Sequence, residues 1–138
     1  MNKEIGVIGL GKMGKGIVRH LIEQGWTVRG YDHSETNSYE LEKEGMSLAD
    51  SPADLIAALP SPKVVWLMVP ARGSVKGARA PVDEVLFGKE GIAKSLKSGD
   101  IVIDGGNSFY KEDVPRARKL GKSGVSYKIG RASCRERV

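Results

Sequence analysis

Three glycines at fixed spacing, Gly9, Gly11 and Gly14, separate two segments of opposite periodicity. Before them, Ile5-Gly6-Val7-Ile8 is a short apolar, β-branched run that reads as a buried strand. After them, Ile17, Val18, Leu21 and Ile22 recur at helical spacing, and Gly25 supplies a stop. A GxGxxG in that position leaves few foldings open. The first glycine permits a tight turn, the second lets a pyrophosphate approach the backbone, and the third lets the helix pack close to the strand. The helix N-terminus adds N–H donors and a positive dipole.

A second strand, Thr27 to Tyr31, is closed by Asp32, 23 residues after Gly9. A carboxylate there accepts hydrogen bonds from both hydroxyls of an adenosine ribose and repels a 2′-phosphate. No arginine follows it; His33 and Ser34 come next. The pattern therefore predicts NAD in preference to NADP. A rival motif overlaps the turn, because Gly6 to Lys12 fits the G-x-x-x-x-G-K half of a P-loop. Met13 occupies the position of the Mg²⁺-ligating hydroxyl, and Gly6 falls inside the apolar run, so an NTPase is excluded.

Further along, His33 to Ser38 reads as a loop and Tyr39 to Lys43 as a short helix. Ser51-Pro52 starts another helix, ended by Pro60 and Pro62. Val64 to Val69 is nearly continuous apolar sequence, as in a central parallel strand covered on both faces. Val82 to Leu96 carries a helical pattern interrupted at Gly88 and Gly91. Ile101 to Ile103 is a further buried strand, and Glu112 to Leu120 a further helix. Strands alternating with helices imply right-handed βαβ units and an α/β fold with a doubly wound parallel sheet of Rossmann type. Ligands bind at the carboxyl ends of such strands, where the glycine clusters fall.

With 138 residues, 40% of them hydrophobic, the chain suffices for one domain. No apolar run approaches the ~18 residues of a membrane span, and Met1-Asn2-Lys3 leads into a strand rather than a signal core. A cytoplasmic protein is expected, with no membrane partner. The net charge of +5 comes from scattered residues with no basic stripe interleaved with aromatics, so no nucleic-acid partner is expected. Cys134 is the single cysteine, and no metal-ligand spacing surrounds it; no metal is expected.

Two later loops carry site candidates. Val69-Pro70-Ala71 could let a flat ring lie against the backbone, or form an ordinary turn. Arg72 there reads best as facing solvent. In Asp104-Gly105-Gly106-Asn107-Ser108, the glycines permit unusual backbone angles or close ligand approach. Asn107 offers an amide suited to a carboxamide or a sugar hydroxyl. Asp104 reads best as an acceptor of backbone N–H bonds that holds the loop, and Ser108 as a helix cap.

GLGKMG (9–14), LMVPA (67–71) and IDGGNSFYKED (103–113) resemble decarboxylating 6-phosphogluconate dehydrogenase, from Met1 to about Tyr127. GLGKMG with Asp32 resembles its shorter, NAD-preferring bacterial branch. Other β-hydroxyacid dehydrogenases, such as the 3-hydroxyisobutyrate type, share the first motif but typically lack DGGNS. The GARAP segment (77–81) departs from the family pattern. The resemblance implies that Gly9, Leu10, Gly11, Lys12, Met13, Gly14, Asp32, His33, Ser34, Val69, Pro70 and Ala71 bind the dinucleotide. It implies that Asn107 contacts both nicotinamide and sugar acid. The implied reaction oxidises the C3 hydroxyl of 6-phosphogluconate by hydride transfer, and loss of CO₂ then gives ribulose 5-phosphate. It belongs to the pentose phosphate pathway, in a protein expected to be homo-oligomeric.

The family's next elements are a GTSGG turn, a helix bearing a catalytic lysine and a large helical domain, none of which this chain contains. The expectation is a sheet truncated before its last strands, with no catalytic residue, so that the chain alone is inactive or serves as a non-catalytic NAD-binding module. A chain ending after the 112–120 helix is further expected to expose a sheet edge and apolar surface. The decapeptide 129–138 is a translation of ATCGGAAGAGCGTCGTGTAGGGAAAGAGTG, a common short-read sequencing adapter whose next in-frame triplet is a stop. Residues 1–127 are thus expected to form the cofactor domain, and 128–138 a non-native tail.

Overall fold

The computed structural model describes residues 3–32, 35–68, 81–88, 91–105 and 110–129. They form one six-stranded, wholly parallel sheet in the order β3-β2-β1-β4-β5-β6. The strands are β1 (Glu4–Ile8), β2 (Thr27–Tyr31), β3 (Ser47–Leu48), β4 (Val64–Leu67), β5 (Ile101–Asp104) and β6 (Ser126–Ile129). The helices are α1 (Lys12–Glu23), α2 (Glu35–Glu42), α3 (Pro52–Ala58), α4 (Pro81–Phe87) and α5 (Tyr110–Gly121). This is the doubly wound α/β arrangement that the alternating periodicity predicts.

Period-two side-chain placement divides the core between the sheet's faces. On one side Ile5, Val7 and Val28 meet Val18 of α1 and Leu41 of α2. On the other, Ile8, Val65, Leu67, Val102 and Tyr127 meet Leu55 and Ile56 of α3, Leu86 of α4 and Leu120 of α5. Gly6 faces this second layer; a Cβ there would run into Leu55. Its place inside β1 agrees with the rejection of the P-loop.

Local chemistry accounts for most boundaries. Ser51 caps α3 by accepting the Asp54 N–H at 3.1 Å, with Pro52 in the first turn. Asp100, 1% exposed, holds the amino ends of β4 and β5 together. Its carboxylate accepts the N–H groups of Lys63 and Lys97, both at 2.8 Å.

Several elements differ from the sequence reading. The stretch 35–38 is helical, extending α2 back to Glu35. Glu35, Thr36, Asn37 and Ser38 are all polar, a pattern that does not distinguish a helical turn from a polar loop. The single helical pattern over 82–96 splits into α4 and a 3₁₀ turn at Ile92–Ser95. Side chains at Gly88 and Gly91 would strike the carbonyls of Glu84 and Leu86, so the break is folded tightly back on α4.

Strands β3 and β6 have no counterpart in the sequence reading. β6 pairs along the whole of β5, from Ile101↔Ser126 to Asp104↔Ile129, so that among the described residues β6 rather than β5 is the terminal strand on that side of the sheet. Among the described residues the exposed large hydrophobics are Met13, Tyr39 and Leu48, which form no extended apolar face.

Candidate functional site

The carboxyl ends of β1, β2, β4 and β5 are laced into one rim by backbone hydrogen bonds. The Gly9 N–H donates to the Tyr31 carbonyl at 2.9 Å, joining the glycine turn to the residue before Asp32. The Met68 N–H donates to Ile8 at 2.7 Å, and the Gly105 N–H to Leu67 at 2.8 Å. Asp32, the residue before Val69-Pro70-Ala71, and the start of the Asp104–Ser108 cluster therefore stand around the same turn.

Each glycine of the turn has a distinct physical reason. Gly9 has φ +99°, a left-handed conformation that a side chain would strain. A Cβ on Gly14 would collide with the Gly9 carbonyl oxygen, so only glycine lets α1 start this close to β1. Gly11 has an ordinary φ of −72°, and a Cβ there would meet nothing within 4 Å. What its missing side chain preserves is open space directly above the backbone.

Gly11 is also the N-cap of α1, with no side-chain cap and no acidic residue in the first turn. The first intrahelical bond is Lys15 N–H to Gly11 O, at 2.8 Å. The N–H groups of Lys12, Met13 and Gly14 thus lie ahead of the helical ladder at the positive end of the dipole. Uncapped donors at a helix start, with nothing within 4 Å of a Cβ at Gly11, suit a pyrophosphate, and the residues present fit the phosphates of a dinucleotide.

Of the predicted site residues, the turn 9–14 and Asp32 are brought together. Leu10 contributes only backbone, because its side chain is fully buried in the α1 face of the core. Met13 is 70% exposed beside the cradle. His33, Ser34, Val69, Pro70, Ala71, Arg72, Asn107 and Ser108 lie outside the described residues.

Two readings of the 104–108 cluster are sharpened. Gly105 is required by packing within the fold, since a Cβ would strike Trp66 Nε1 and Met68 Sδ. Asp104, fully buried, accepts a hydrogen bond from the Tyr127 hydroxyl. It is structural as expected, but with a side-chain partner from β6 that the sequence reading lacked.

A cleft of about 340 Å³ adjoins Asp32 at the ends of β2 and β3. Tyr31, Asp32, Ser38, Tyr39, Leu48, Ala49 and Asp50 line it. Sequence reasoning missed every member except Asp32, because two-residue β3 gives no strand signal and Asp50 therefore no strand to end.

Fold, rim and cradle together define a nicotinamide-dinucleotide-binding domain. Residues 4–128 match the family model described as the NAD binding domain of 6-phosphogluconate dehydrogenase, and the chain belongs to that family. It is 38% identical to the NAD(+)-dependent decarboxylating 6-phosphogluconate dehydrogenase of Haloferax volcanii, over 83% of this chain and 35% of that protein. Among solved structures it is similar to Plasmodium falciparum 6-phosphogluconate dehydrogenase, at TM-score 0.76 and 28% identity, over 90% of this chain and 26% of that one. The fold also matches 3-hydroxyisobutyrate dehydrogenase from Salmonella typhimurium, at TM-score 0.76 and 23% identity, over 91% of this chain and 40% of that one. The chain thus spans between about a quarter and two fifths of these relatives' length. Among the described residues no helix is long and apolar enough to cross a membrane, and no cluster of potential metal ligands occurs.

Proposed function

We propose that this chain is the cofactor-binding portion of an NAD-preferring, decarboxylating 6-phosphogluconate dehydrogenase. The observation that carries the reading is the Gly9–Tyr31 hydrogen bond, which fixes an anion cradle beside a carboxylate at the end of β2. The turn 9–14 holds the pyrophosphate, and Asp32 accepts the ribose hydroxyls and opposes a 2′-phosphate. His33, Ser34, Val69, Pro70 and Ala71 complete the dinucleotide site, and Asn107 bridges nicotinamide and sugar acid.

When bound, the cofactor supplies the ring that accepts hydride. The chain's own contribution is to bind and orient it. Oxidation of 6-phosphogluconate and release of ribulose 5-phosphate and CO₂ belong to the whole protein, a cytoplasmic homo-oligomer of the pentose phosphate pathway. The chain alone binds cofactor without turnover. Residues 1–127 constitute the domain and 128–138 a non-native tail, a reading that rests on the adapter-like codons of 129–138; the family match runs to residue 128 and β6 to Ile129, so both reach just past that division. A genomic read continuing through the tail's codons would refute it.

Calorimetric titration of NAD and NADP tests the site. Asp32→Ala is expected to weaken NAD about ten- to a hundredfold, the loss of hydrogen bonds to a charged acceptor, and to narrow the preference over NADP. Unchanged affinities for both cofactors would remove Asp32 from the site.

A further inference from the structure

We infer that Asp50 is a second determinant of the choice between NAD and NADP, acting with Asp32 across the cleft at the ends of β2 and β3. The inference rests on the cofactor reading above. Asp32 and Asp50 line the same cleft, Asp32 from the end of β2 and Asp50 from the turn between β3 and α3. The other described lining residues are Tyr31, Ser38, Tyr39, Leu48 and Ala49, so among the described residues both formal charges there are negative.

Of the described cations nearby, two are held in ion pairs and one, Arg29, stands in the groove beside Asp50. Lys15 and Arg19 of α1 are paired with Glu40 and Glu44 on α2, at 2.7 to 3.0 Å. Arg29 lines the adjacent groove with Asp50 and Asp54, and lies 3.8 Å from Glu4. Asp50 itself is exposed.

A ribose held by Asp32 would sit at the edge of the cleft that Asp32 and Asp50 both line, so its 2′ substituent would feel the charge of both. A hydroxyl there is neutral, whereas a phosphate monoester carries close to two negative charges at neutral pH. Asp32 penalises that phosphate at contact range. Asp50 adds a longer-range, solvent-screened repulsion of the 2′-phosphate, a group that NAD lacks. The selectivity is thus divided between a carboxylate that touches the ribose and one that sets the potential around it.

The test is titration of NAD and NADP into the full chain and its Asp50→Asn variant, at low salt and again in about 1 M salt. The ratio of the NADP Kd to the NAD Kd should fall about five-fold in Asp50→Asn at low salt. The difference between variant and parent should largely vanish at high salt, and Asp50→Glu should retain the parent ratio. A structural role would instead change the two affinities together at either salt concentration. An unaltered ratio, or equal weakening of both cofactors, would overturn the assignment while leaving the cofactor site intact. Failure of the unmodified chain to bind NAD would overturn the cofactor reading, and this inference with it.

Discussion

Gly11 and Gly14 lack a side chain for opposite reasons, and the difference is measurable. The Cβ of Gly14 would occupy space already filled by the Gly9 carbonyl, so Gly14→Ala strains the junction of β1 and α1. It should lower stability by about 1–3 kcal/mol, the usual cost of overpacking, read as a fall in melting temperature. At Gly11 the Cβ would enter open space and the backbone is extended, with ψ −168°, so alanine is tolerated there. Gly11→Ala should melt within about 2 °C of the parent yet bind NAD at least about tenfold more weakly, because the methyl stands where the pyrophosphate approaches. Full binding by Gly11→Ala would refute the cradle. The motif already predicts close ligand approach at the second glycine and packing at the third; the structure adds which atoms a Cβ would meet at each.

At the scale of elements, α2 is joined to α1 by exposed ion pairs as well as by Leu41 packed on Val18. Lys15 and Arg19 both reach Glu40, at 2.7 and 3.0 Å, and Arg19 also reaches Glu44. The hydrogen bond from Lys15, followed by its charge and by Arg19, holds the Glu40 carboxyl below the ordinary carboxylate value of 4.5. A depressed value means that the stabilisation is present above the unfolded-state pKa and is lost as pH falls through the folded one. Glu40→Gln should therefore melt slightly below the parent at neutral pH and low salt. The two should converge on the acid side of pH 4.5 and in about 1 M salt, since these groups are exposed and screened. A difference that persisted under both conditions would point to packing instead. Sequence periodicity missed the first turn of α2 because Glu35, Thr36, Asn37 and Ser38 are all polar and carry no apolar repeat. β1, β4 and α1 were legible because burial on one or both sides writes itself into composition. β3 has two residues, both exposed, and β6 alternates Ser126, Tyr127 and Lys128, so neither left a comparable signal.

For the molecule as a whole, β6 decides whether the larger core is closed. Val125 and Tyr127 are 3% and 2% exposed and belong to the layer that α3, α4 and α5 cover. The Tyr127 hydroxyl also satisfies Asp104, whose carboxylate is fully buried at the rim of the site. A chain ended at Ile129 keeps these contacts, whereas one ended at Val125 loses the aromatic ring, the hydroxyl donor and the strand that covers β5. Loss of a buried aromatic side chain alone costs about 3–5 kcal/mol. An uncovered parallel strand adds a template for association between chains. The shorter chain should thus melt well below the longer one and scatter light on warming. Its binding of NAD should weaken as well, because Gly105 and the rim around the turn hang from the same β5. Matched melting and scattering curves would mean that the sheet is complete with five strands, and that Asp104 finds equivalent support without Tyr127.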